Sequence, residues 1–325
     1  MNPTYWHGAN AVHERRTYEV MTMQTPSSWS ALPLQPLRSV RILSLALNLP
    51  GPAALRRCAA MGAQCTKLEP LAAAGAESAD PLHTYCPNAY NDLHTGVQRL
   101  QADLKSPEGQ AQLHAELARA DVLLTSFRPA ALHKLGLDWD TLQKRYPQLS
   151  MVRIFGATGD GADTPGHDIT YQAEAGLLHT GQMPASLMAD MTGALMASEA
   201  VLQTQMHRLR SGAGALLDIG LFEAAQWLAQ PLHWGLSAPQ GDVGGAHAGY
   251  RTYRCQDGMV AIAALEPHFA ARLCAAAGLP ARGDVATMRE ATTHEAITRF
   301  VGERSVAHLR EMAVQQDIPL HVIPA

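Results

Sequence analysis

The sequence has few cysteines, and they form no recognisable framework. Five cysteines are spread over 325 residues, and no two of them make a C-x-x-C pair. An odd number of widely spaced thiols argues against a scaffold of disulfide bonds and suits a reducing compartment. We therefore expect a cytoplasmic protein.

Long apolar runs and clusters of basic side chains are absent as well. No segment is apolar over the length needed to cross a bilayer, and the N-terminus lacks a basic region followed by an apolar run. The formal net charge is -4 and the basic residues are scattered, whereas binding to phosphate arrays needs clustered lysine and arginine. We therefore expect neither a membrane nor a nucleic acid as a partner.

The motifs of several common enzyme classes are missing. The first predicted strand-to-helix turn reads "LNLPGPAAL", where a dinucleotide site needs G-x-G-x-x-G. The sequence also has no G-x-x-x-x-G-K-[ST], no H-E-x-x-H and no G-x-S-x-G. The sequence therefore has no motif that supports a redox, phosphoryl-transfer, zinc-hydrolase or serine-hydrolase function.

The sequence does contain a regular alternation of strand and helix signals. "VRILSLAL" is an apolar run of strand length, "AALRRCAAMG" indicates a helix closed by Gly62, and "AQCTKLE" indicates a second strand. Ser106 as N-cap and Pro107 begin another helix before the strand "DVLLTSF", and "DWDTLQKRY" precedes the strand "LSMVRIFG". The alternation predicts an α/β fold with a doubly wound, Rossmann-like parallel sheet and right-handed crossovers.

The composition changes along the chain and predicts a domain organisation. The first residues are polar, rich in proline and serine and without period, and Met21 and Met23 offer alternative starts of translation. Later, two strand-like runs flank Asp257 and Gly258, a hairpin signal that opens a smaller α+β domain. The predicted parts are a loose extension at 1–39, a large α/β domain at 40–230, a linker at 231–244 and the small domain at 245–325.

Three polar residues are candidates for chemistry. His167 stands beside Asp168 in "PGHDITY", Asp190 lies near the start of a long helical stretch, and Glu266 follows the second strand of the hairpin. Taken alone, Asp190 is better explained as a first-turn acid that complements a helix dipole, and Glu266 as the cap of the next helix. His167 alone is either a catalytic base or a buried polar residue. Their combination carries more weight than any one of them.

Several stretches in order resemble a known family. They are "NLPGPAALRRCAAMGAQCTKLE", "ADLKSPEG", "ARADVLLTSFRPAALHKLGL", "GATGDGADTPGHDITY", "ADMTGALMA", "SGAGALLDIGLFEA" and "YRTYRCQDGMVAIAALEPHF", which together cover roughly Val40 to Phe269. The chain is similar to the family III CoA-transferases and, among them, to the α-methylacyl-CoA racemases. The resemblance implies a large sheet domain, a smaller second domain and an interlocked homodimer whose active site uses residues of both chains.

The resemblance also assigns roles to the candidate residues. Asp190 of "ADMTG" matches the aspartate that the transferases use as a nucleophile and the racemases use as a base. His167 and Glu266 match the second base of the racemases and its carboxylate partner, which leaves Asp168 as a structural neighbour. The substrate that the resemblance implies is a coenzyme A thioester, with no bound cofactor and no metal.

The chemistry of a racemase explains these residue types. Inversion of a carbon next to a thioester removes a proton from one face and returns one to the other, so two bases are needed, and a positioned base contributes about 10²–10⁴-fold. Glu266 would fix the tautomer of His167, and backbone N–H groups at the start of the Asp190 helix are candidate donors to the enolate. We therefore expect a racemase or epimerase of 2-methyl-branched acyl-CoA thioesters.

Two alternatives stay open. Asp190 as a nucleophile would form a mixed anhydride with an acyl-CoA in a CoA-transferase, and that chemistry needs neither His167 nor Glu266. A paralogue without turnover, which binds CoA or stabilises a partner, is the third possibility.

Two departures from the family pattern bear on CoA binding and on dimerisation. Family members carry a basic cluster that helps to hold the CoA phosphates, whereas the matching segment here reads "HTGVQRLQADLK". Arg99 remains nearby, and Arg56, Arg57, Lys67 and Lys134 are candidates to compensate, with solvation at the surface as the alternative for each. The chain also stops at "DIPLHVIPA", where relatives return a further segment to the large domain, and we expect a more exposed large domain and a weaker interlock as a result.

Overall fold

A computed structural model describes residues 34–178 and 181–324 of the chain. Of the predicted loose extension at 1–39, residues 1–33 lie outside the described residues. Leu37 is fully buried, and its N–H donates to the Met61 carbonyl at 3.1 Å. No helix of the described part of the chain is both long and apolar enough to span a membrane.

The largest element of the fold is a six-stranded parallel sheet, which confirms the predicted α/β class. Its strand order is β3-β2-β1-β4-β5-β6, the order of doubly wound dinucleotide-binding sheets. The strands are β1 (Arg41–Ser44), β2 (Gln64–Glu69), β3 (Gln98–Gln101), β4 (Val122–Thr125), β5 (Ser150–Phe155) and β6 (Leu216–Gly220).

Nine helices of the described chain connect or follow these strands, and local signals set their ends. They are α1 (Pro50–Ala60), α2 (Pro81–Tyr85), α3 (Pro87–Leu93), α4 (Pro107–Leu117), α5 (Pro129–Lys134), α6 (Trp139–Arg145), α7 (Asp168–Glu174), α8 (Met188–Ser211) and α9 (Leu221–His233). The Ser106 side chain caps α4 by accepting from the Gly109 N–H, as the sequence predicts. Gly62, with φ of 95°, ends α1 in a conformation that favours glycine.

A second sheet with its own helices forms the later part of the chain. Strands β7 (Tyr250–Arg254), β8 (Met259–Ala263) and β9 (Leu320–Ile323) pair antiparallel, and the predicted hairpin turn joins the first two. The helices are α10 (Pro267–Ala276), α11 (Val285–Met288), α12 (Ala291–Gly302) and α13 (Val306–Gln316). Their buried side chains, among them Leu273, Ile297 and Leu309, share one core with the sheet.

By compactness the chain divides into two units that interleave in sequence. The first holds residues 34–127, 132–153 and 197–217 of the described chain, and the second holds 128–131, 154–178, 181–196 and 218–324. The predicted continuous boundaries, with a large domain at 40–230, a linker at 231–244 and a small domain at 245–325, stay a prediction.

Within the first unit, the sheet has a topological switch point between β1 and β4. Ligands of open α/β sheets bind in the crevice at the carboxyl ends of such strands. The loop after β1 and the loop after β4 meet there, because the Leu47 N–H donates to Ser126 Oγ at 3.1 Å. Helix α1 approaches the end of β1 closely at Gly51, where an added Cβ would lie 2.2 Å from the Ala46 Cβ.

Candidate functional site

Asp190 lies in the first turn of α8, where the sequence predicts it. Its side chain is half-buried, and its backbone N–H donates to Asp168 Oδ1 at 3.0 Å. Burial, and then the neighbouring charge of Asp168, raise the pKa of the Asp190 carboxyl to about 7. A carboxyl with such a pKa exchanges protons near neutral pH, which an ordinary aspartate does not do.

The stretch around His167 forms the start of α7. His167 is exposed and occupies the N-cap position, where its N–H donates to Thr170 Oγ1 at 3.1 Å. Asp168, the next residue, is only 3% exposed, and its second oxygen accepts from Gln172 Nε2 at 2.5 Å. The two neighbours therefore differ in environment: the imidazole faces outward and the carboxylate is buried.

Tyr171 is a neighbour of Asp190 to which no sequence motif pointed, and Arg128 in turn acts on Tyr171. Burial, followed by the charge of Asp190, raises the pKa of the Tyr171 phenol, and Arg128 opposes that rise. Tyr171 packs closely against Gly156, where an added Cβ would lie 2.3 Å from the phenol oxygen. The sequence did contain one sign that Tyr171 lies near the site: it follows His167 by four residues, so the two residues share one side of the helix.

Glu266 lies at the start of α10 and is exposed. Among residues 34–178 and 181–324, no hydrogen bond or ion pair joins Glu266 to His167, and none joins either side chain to the Asp190 carboxyl. A single chain therefore brings Asp168 and Asp190 together and forms no hydrogen bond between Glu266 and His167 among the described residues. The assigned roles of His167, Asp190 and Glu266 stay predictions.

The four basic residues predicted to bind CoA have different environments. Lys134 and Arg99 are exposed, and the Arg99 guanidinium lies 5.5 Å from the centre of the Tyr90 ring. Arg56 is partly buried on α1. Lys67 is fully buried, and its ammonium contacts carboxylates of the same chain.

Lys67 belongs to a buried polar cluster in the first unit. Its Nζ contacts Asp80 and lies 3.1 Å from Glu69 Oε1 and 3.0 Å from His94 Nε2. The oxygen and nitrogen atoms of Glu69, Asp80 and His94 lie within 4.8 Å of one another, which is close enough to hold a cation. The Lys67 ammonium lies among these groups and supplies the positive charge that a metal ion would otherwise supply.

The neutral and charged members of this cluster are fixed by further hydrogen bonds. Burial, and then the Lys67 charge, lower the pKa of His94 to about 4, so its imidazole is neutral at pH 7. Burial works against ionisation of Glu69, but Lys67, Ser78 and Tyr90 outweigh it and hold the pKa of that carboxyl below its ordinary value. The cluster is a satisfied network of buried polar groups.

The same cluster holds the turn at the switch point. Asp80 Oδ1 accepts from the N–H groups of Asn48 and Leu82, each at 3.0 Å. Asn48 has a φ of 63° and accepts from the Tyr85 hydroxyl at 2.9 Å. Asp80 therefore couples the buried Lys67 to the shape of the turn after β1.

Comparison with known proteins identifies relatives over most of the chain. A model of CoA-transferase family III matches residues 37–324. The α-methylacyl-CoA racemase of Mus musculus is 33% identical over 261 residues, which are 75% of this chain and 65% of that protein. The human protein of the same name is 34% identical over 58% of this chain and 54% of its own length, so this chain spans less than two thirds of either racemase.

Transferases are among the relatives too. A succinate–glutarate CoA-transferase of Agrobacterium fabrum is 30% identical over 297 residues, 82% of this chain and 73% of that protein. A crystal structure of a hypothetical protein from Mycobacterium tuberculosis superposes with a TM-score of 0.75 at 24% identity, covering 90% of this chain and 85% of the other. A protein of the CAIB/BAIF family from Brucella suis gives a TM-score of 0.73 at 22% identity over 90% and 85% of the two chains. These structures share the fold.

Proposed function

Because the chain belongs to CoA-transferase family III, we propose that it is an acyl-CoA racemase or epimerase that inverts the α carbon of a 2-methyl-branched thioester. The observation that carries the proposal is the half-buried carboxyl of Asp190, whose pKa is raised to about 7. A general acid or base works best when its pKa lies near the operating pH. A pKa near neutral suits a group that both takes and returns a proton, which is the role that a racemase requires of Asp190.

The proposed reaction is a two-base proton transfer through an enolate. In one direction the Asp190 carboxylate removes the α proton, and the protonated imidazole of His167 delivers a proton to the other face. In the reverse direction the two groups exchange roles. The pKa of about 7 lets Asp190 take up and return the proton near neutral pH.

We assign Glu266 the role of partner to the His167 imidazole in an interlocked homodimer. Among the described residues of one chain no hydrogen bond or ion pair joins Glu266 to His167, and the family resemblance implies that a second chain completes the site. Exposed large apolar side chains of the second unit support such a partner: Met183, Met188, Met191, Trp227 and Trp234. Apolar surface of this kind is a feature of association sites.

Coenzyme A is proposed as part of the substrate, with no separate cofactor. The exposed residues Arg99 and Lys134, together with Arg56, are the proposed partners of its phosphates. Lys67 supports the same site through Asp80, which holds the turn after β1 at Asn48. Because Lys67 would act through this turn and not by direct contact with the phosphates, its burial is compatible with that role.

The test is α-proton exchange. The protein is incubated with a 2-methylacyl-CoA in deuterated water, and deuterium uptake and stereochemistry are followed by mass spectrometry and chiral analysis. We expect uptake with loss of stereochemistry, and a loss of about 10²-fold or more in His167→Ala and Asp190→Asn. The exposed residues His308 and Asp163 provide matched controls, and His308→Ala and Asp163→Asn should retain full activity.

A CoA-transferase with Asp190 as nucleophile is the second candidate, supported by the transferases among the relatives, one of which is 30% identical over 82% of this chain. Hydroxylamine trapping separates the two reactions, because only an acyl anhydride or thioester on Asp190 becomes a hydroxamate. Hydroxamate on Asp190, with no α-proton exchange, would replace the racemase proposal. Failure to bind any CoA ester in calorimetry would instead support a paralogue without turnover.

A further inference from the structure

We propose that Asp168 is a positioning residue, whose buried carboxylate holds the first turn of α8 and thereby fixes the place of Asp190. The inference deepens the proposed function, since it concerns the residue that the reaction would use as a base. Asp168 touches neither substrate nor reacting atoms in this assignment. It acts through the backbone of Asp190.

The contact between Asp168 and Asp190 gives an acceptor to a backbone N–H group that has none within its own helix. The N–H groups of the first turn of a helix have no acceptor within the helix. Asp190 is the third residue of α8, and its N–H donates to Asp168 Oδ1 at 3.0 Å. Asp168 thus caps α8 from another helix, so the Asp190 N–H, one of the backbone groups predicted to donate to the enolate, already has an acceptor.

Asp168 is itself held on two sides. It begins α7 and is 3% exposed, and its Oδ2 accepts from Gln172 Nε2 one turn along the same helix. The same Gln172 nitrogen donates to the Ser186 carbonyl at 3.3 Å. The pair therefore holds the chain just before α8 at Ser186 and within its first turn at Asp190, so the backbone between these two points has little freedom.

The geometry also explains the proton affinity of Asp190. The positive end of α8 favours a negative charge, but the Asp168 carboxylate already occupies that place. The groups that interact electrostatically with Asp190 are Asp168 and Tyr171 of α7, and Arg128 acts on Tyr171. Burial and the like charge of Asp168 then raise the pKa of Asp190 to about 7.

Two substitutions separate the two effects of Asp168. Asp168→Asn keeps an oxygen that accepts from the Asp190 N–H but removes the charge, and Asp168→Ala removes both. The side-chain oxygen of Gln172 is buried without a partner in the described chain, and rotation of this amide would present it to the new amide group. Asp168→Asn is therefore expected to fold even if the alanine variant does not.

The first measurement is the pH dependence of carbodiimide labelling at Asp190, read by tandem mass spectrometry. Carbodiimide reacts with the protonated carboxyl, so the labelling midpoint reports its pKa without any need for turnover. We expect the midpoint of the unmodified protein near pH 7, and a midpoint lower by roughly 1 unit in Asp168→Asn. Glu174→Gln removes one exposed charge from the same helix and should leave the midpoint unchanged.

The second measurement is amide hydrogen exchange at the start of α8. We expect faster exchange there in Asp168→Ala, and exchange like that of the unmodified protein in Asp168→Asn. In a racemase assay the alanine variant should also have a kcat lower by about 10²-fold, with little change in KM. Unchanged amide exchange at the start of α8 in Asp168→Ala would overturn the inference, and an unchanged labelling midpoint in Asp168→Asn would contradict the effect of the Asp168 charge on Asp190. The labelling and exchange measurements do not depend on turnover, so the inference can be tested even if the protein shows no racemase activity.

Discussion

The ammonium nitrogen of Lys67 lies 3.1 Å from the carboxylate of Glu69, and both side chains are almost completely buried. Asp80 contacts the same ammonium and is equally buried. A buried charge of either sign is costly unless its partner is present. The arrangement therefore makes each of these residues sensitive to the loss of the others.

Lys67→Met is expected to destabilise the protein strongly. The substitution keeps most of the side-chain volume but leaves Glu69 and Asp80 buried without their cation, which costs about 3–5 kcal/mol. The free energy of unfolding from urea denaturation at pH 7 measures the effect. Lys144→Met removes an exposed lysine of α6 and should change stability by less than about 0.5 kcal/mol. Equal effects of the two substitutions would contradict the buried ion pair.

His94 is expected to make the protein less stable in mild acid. Its pKa is lowered to about 4 in the folded chain, against about 6.5 when unfolded. The unfolded chain therefore binds more protons between these values, and the stability from His94 is lost as the pH falls through that window. From pH 7 to pH 5 the unmodified protein should lose about 2 kcal/mol more than His94→Gln.

The exposed His308 is the control for this measurement. His308→Gln should follow the unmodified protein across the same pH range, because its imidazole is solvated in both states. If His94→Gln also followed the unmodified protein, the imidazole would not be buried in a neutral form.

Asp190→Asn is expected to stabilise the protein at alkaline pH while it abolishes proton exchange. The pKa of Asp190 is raised from 3.8 to about 7, so the folded chain binds more protons than the unfolded chain between these values. Stability is therefore lost as the pH rises through that window. At pH 8 the variant should gain about 1–2 kcal/mol, allowing for partial exposure, and the gain should shrink toward pH 4.

The exposed Asp163 serves as the matched carboxyl. Asp163→Asn should show no gain in unfolding free energy that depends on pH in this way. A gain for Asp190→Asn that was the same at pH 8 and at pH 4 would show that its carboxyl titrates normally. Such a result would remove the observation on which the racemase proposal rests.

The exposed tryptophans of the second unit provide a test of dimerisation. Trp227 and Trp234 are 68% and 70% exposed, which is unusual for side chains of this size. The double substitution Trp227→Glu with Trp234→Glu should give a monomer in size-exclusion chromatography with light scattering, whereas the unmodified chain should give a dimer. Gln226→Glu, an exposed neighbour on α9, should leave the dimer intact. An unmodified chain that is monomeric would exclude the proposed homodimer.

Most of the sheet and its helices could be predicted, because local signals specify them. Buried apolar runs indicated β1, β4 and β5, and the cap at Ser106 and the glycine at Gly62 marked helix ends that the structure confirms. The hairpin turn at Asp257 followed from residues next to one another in the sequence. Each of these features depends on interactions within a few residues.

The candidate site could be predicted only in part. The order of short stretches pointed to His167, Asp190 and Glu266, and these roles stay predictions. The stretches did not reveal that Tyr171 interacts with Asp190, nor that Lys67 is buried against Asp80. These contacts join side chains 13 or more residues apart, and no local pattern specifies such a distance.

The sequence by itself determined the α/β class of the sheet, the family of the chain and the identity of the residues worth testing, because propensity, capping and motif order are local properties. Only the tertiary structure decided the environment of each residue. It set Asp168 against the N–H of Asp190, and it closed Lys67 into a network with Glu69 and Asp80. Burial and proximity set the pKa of a carboxyl and the stabilising effect of an ion pair, and both arise only when distant parts of the chain pack together.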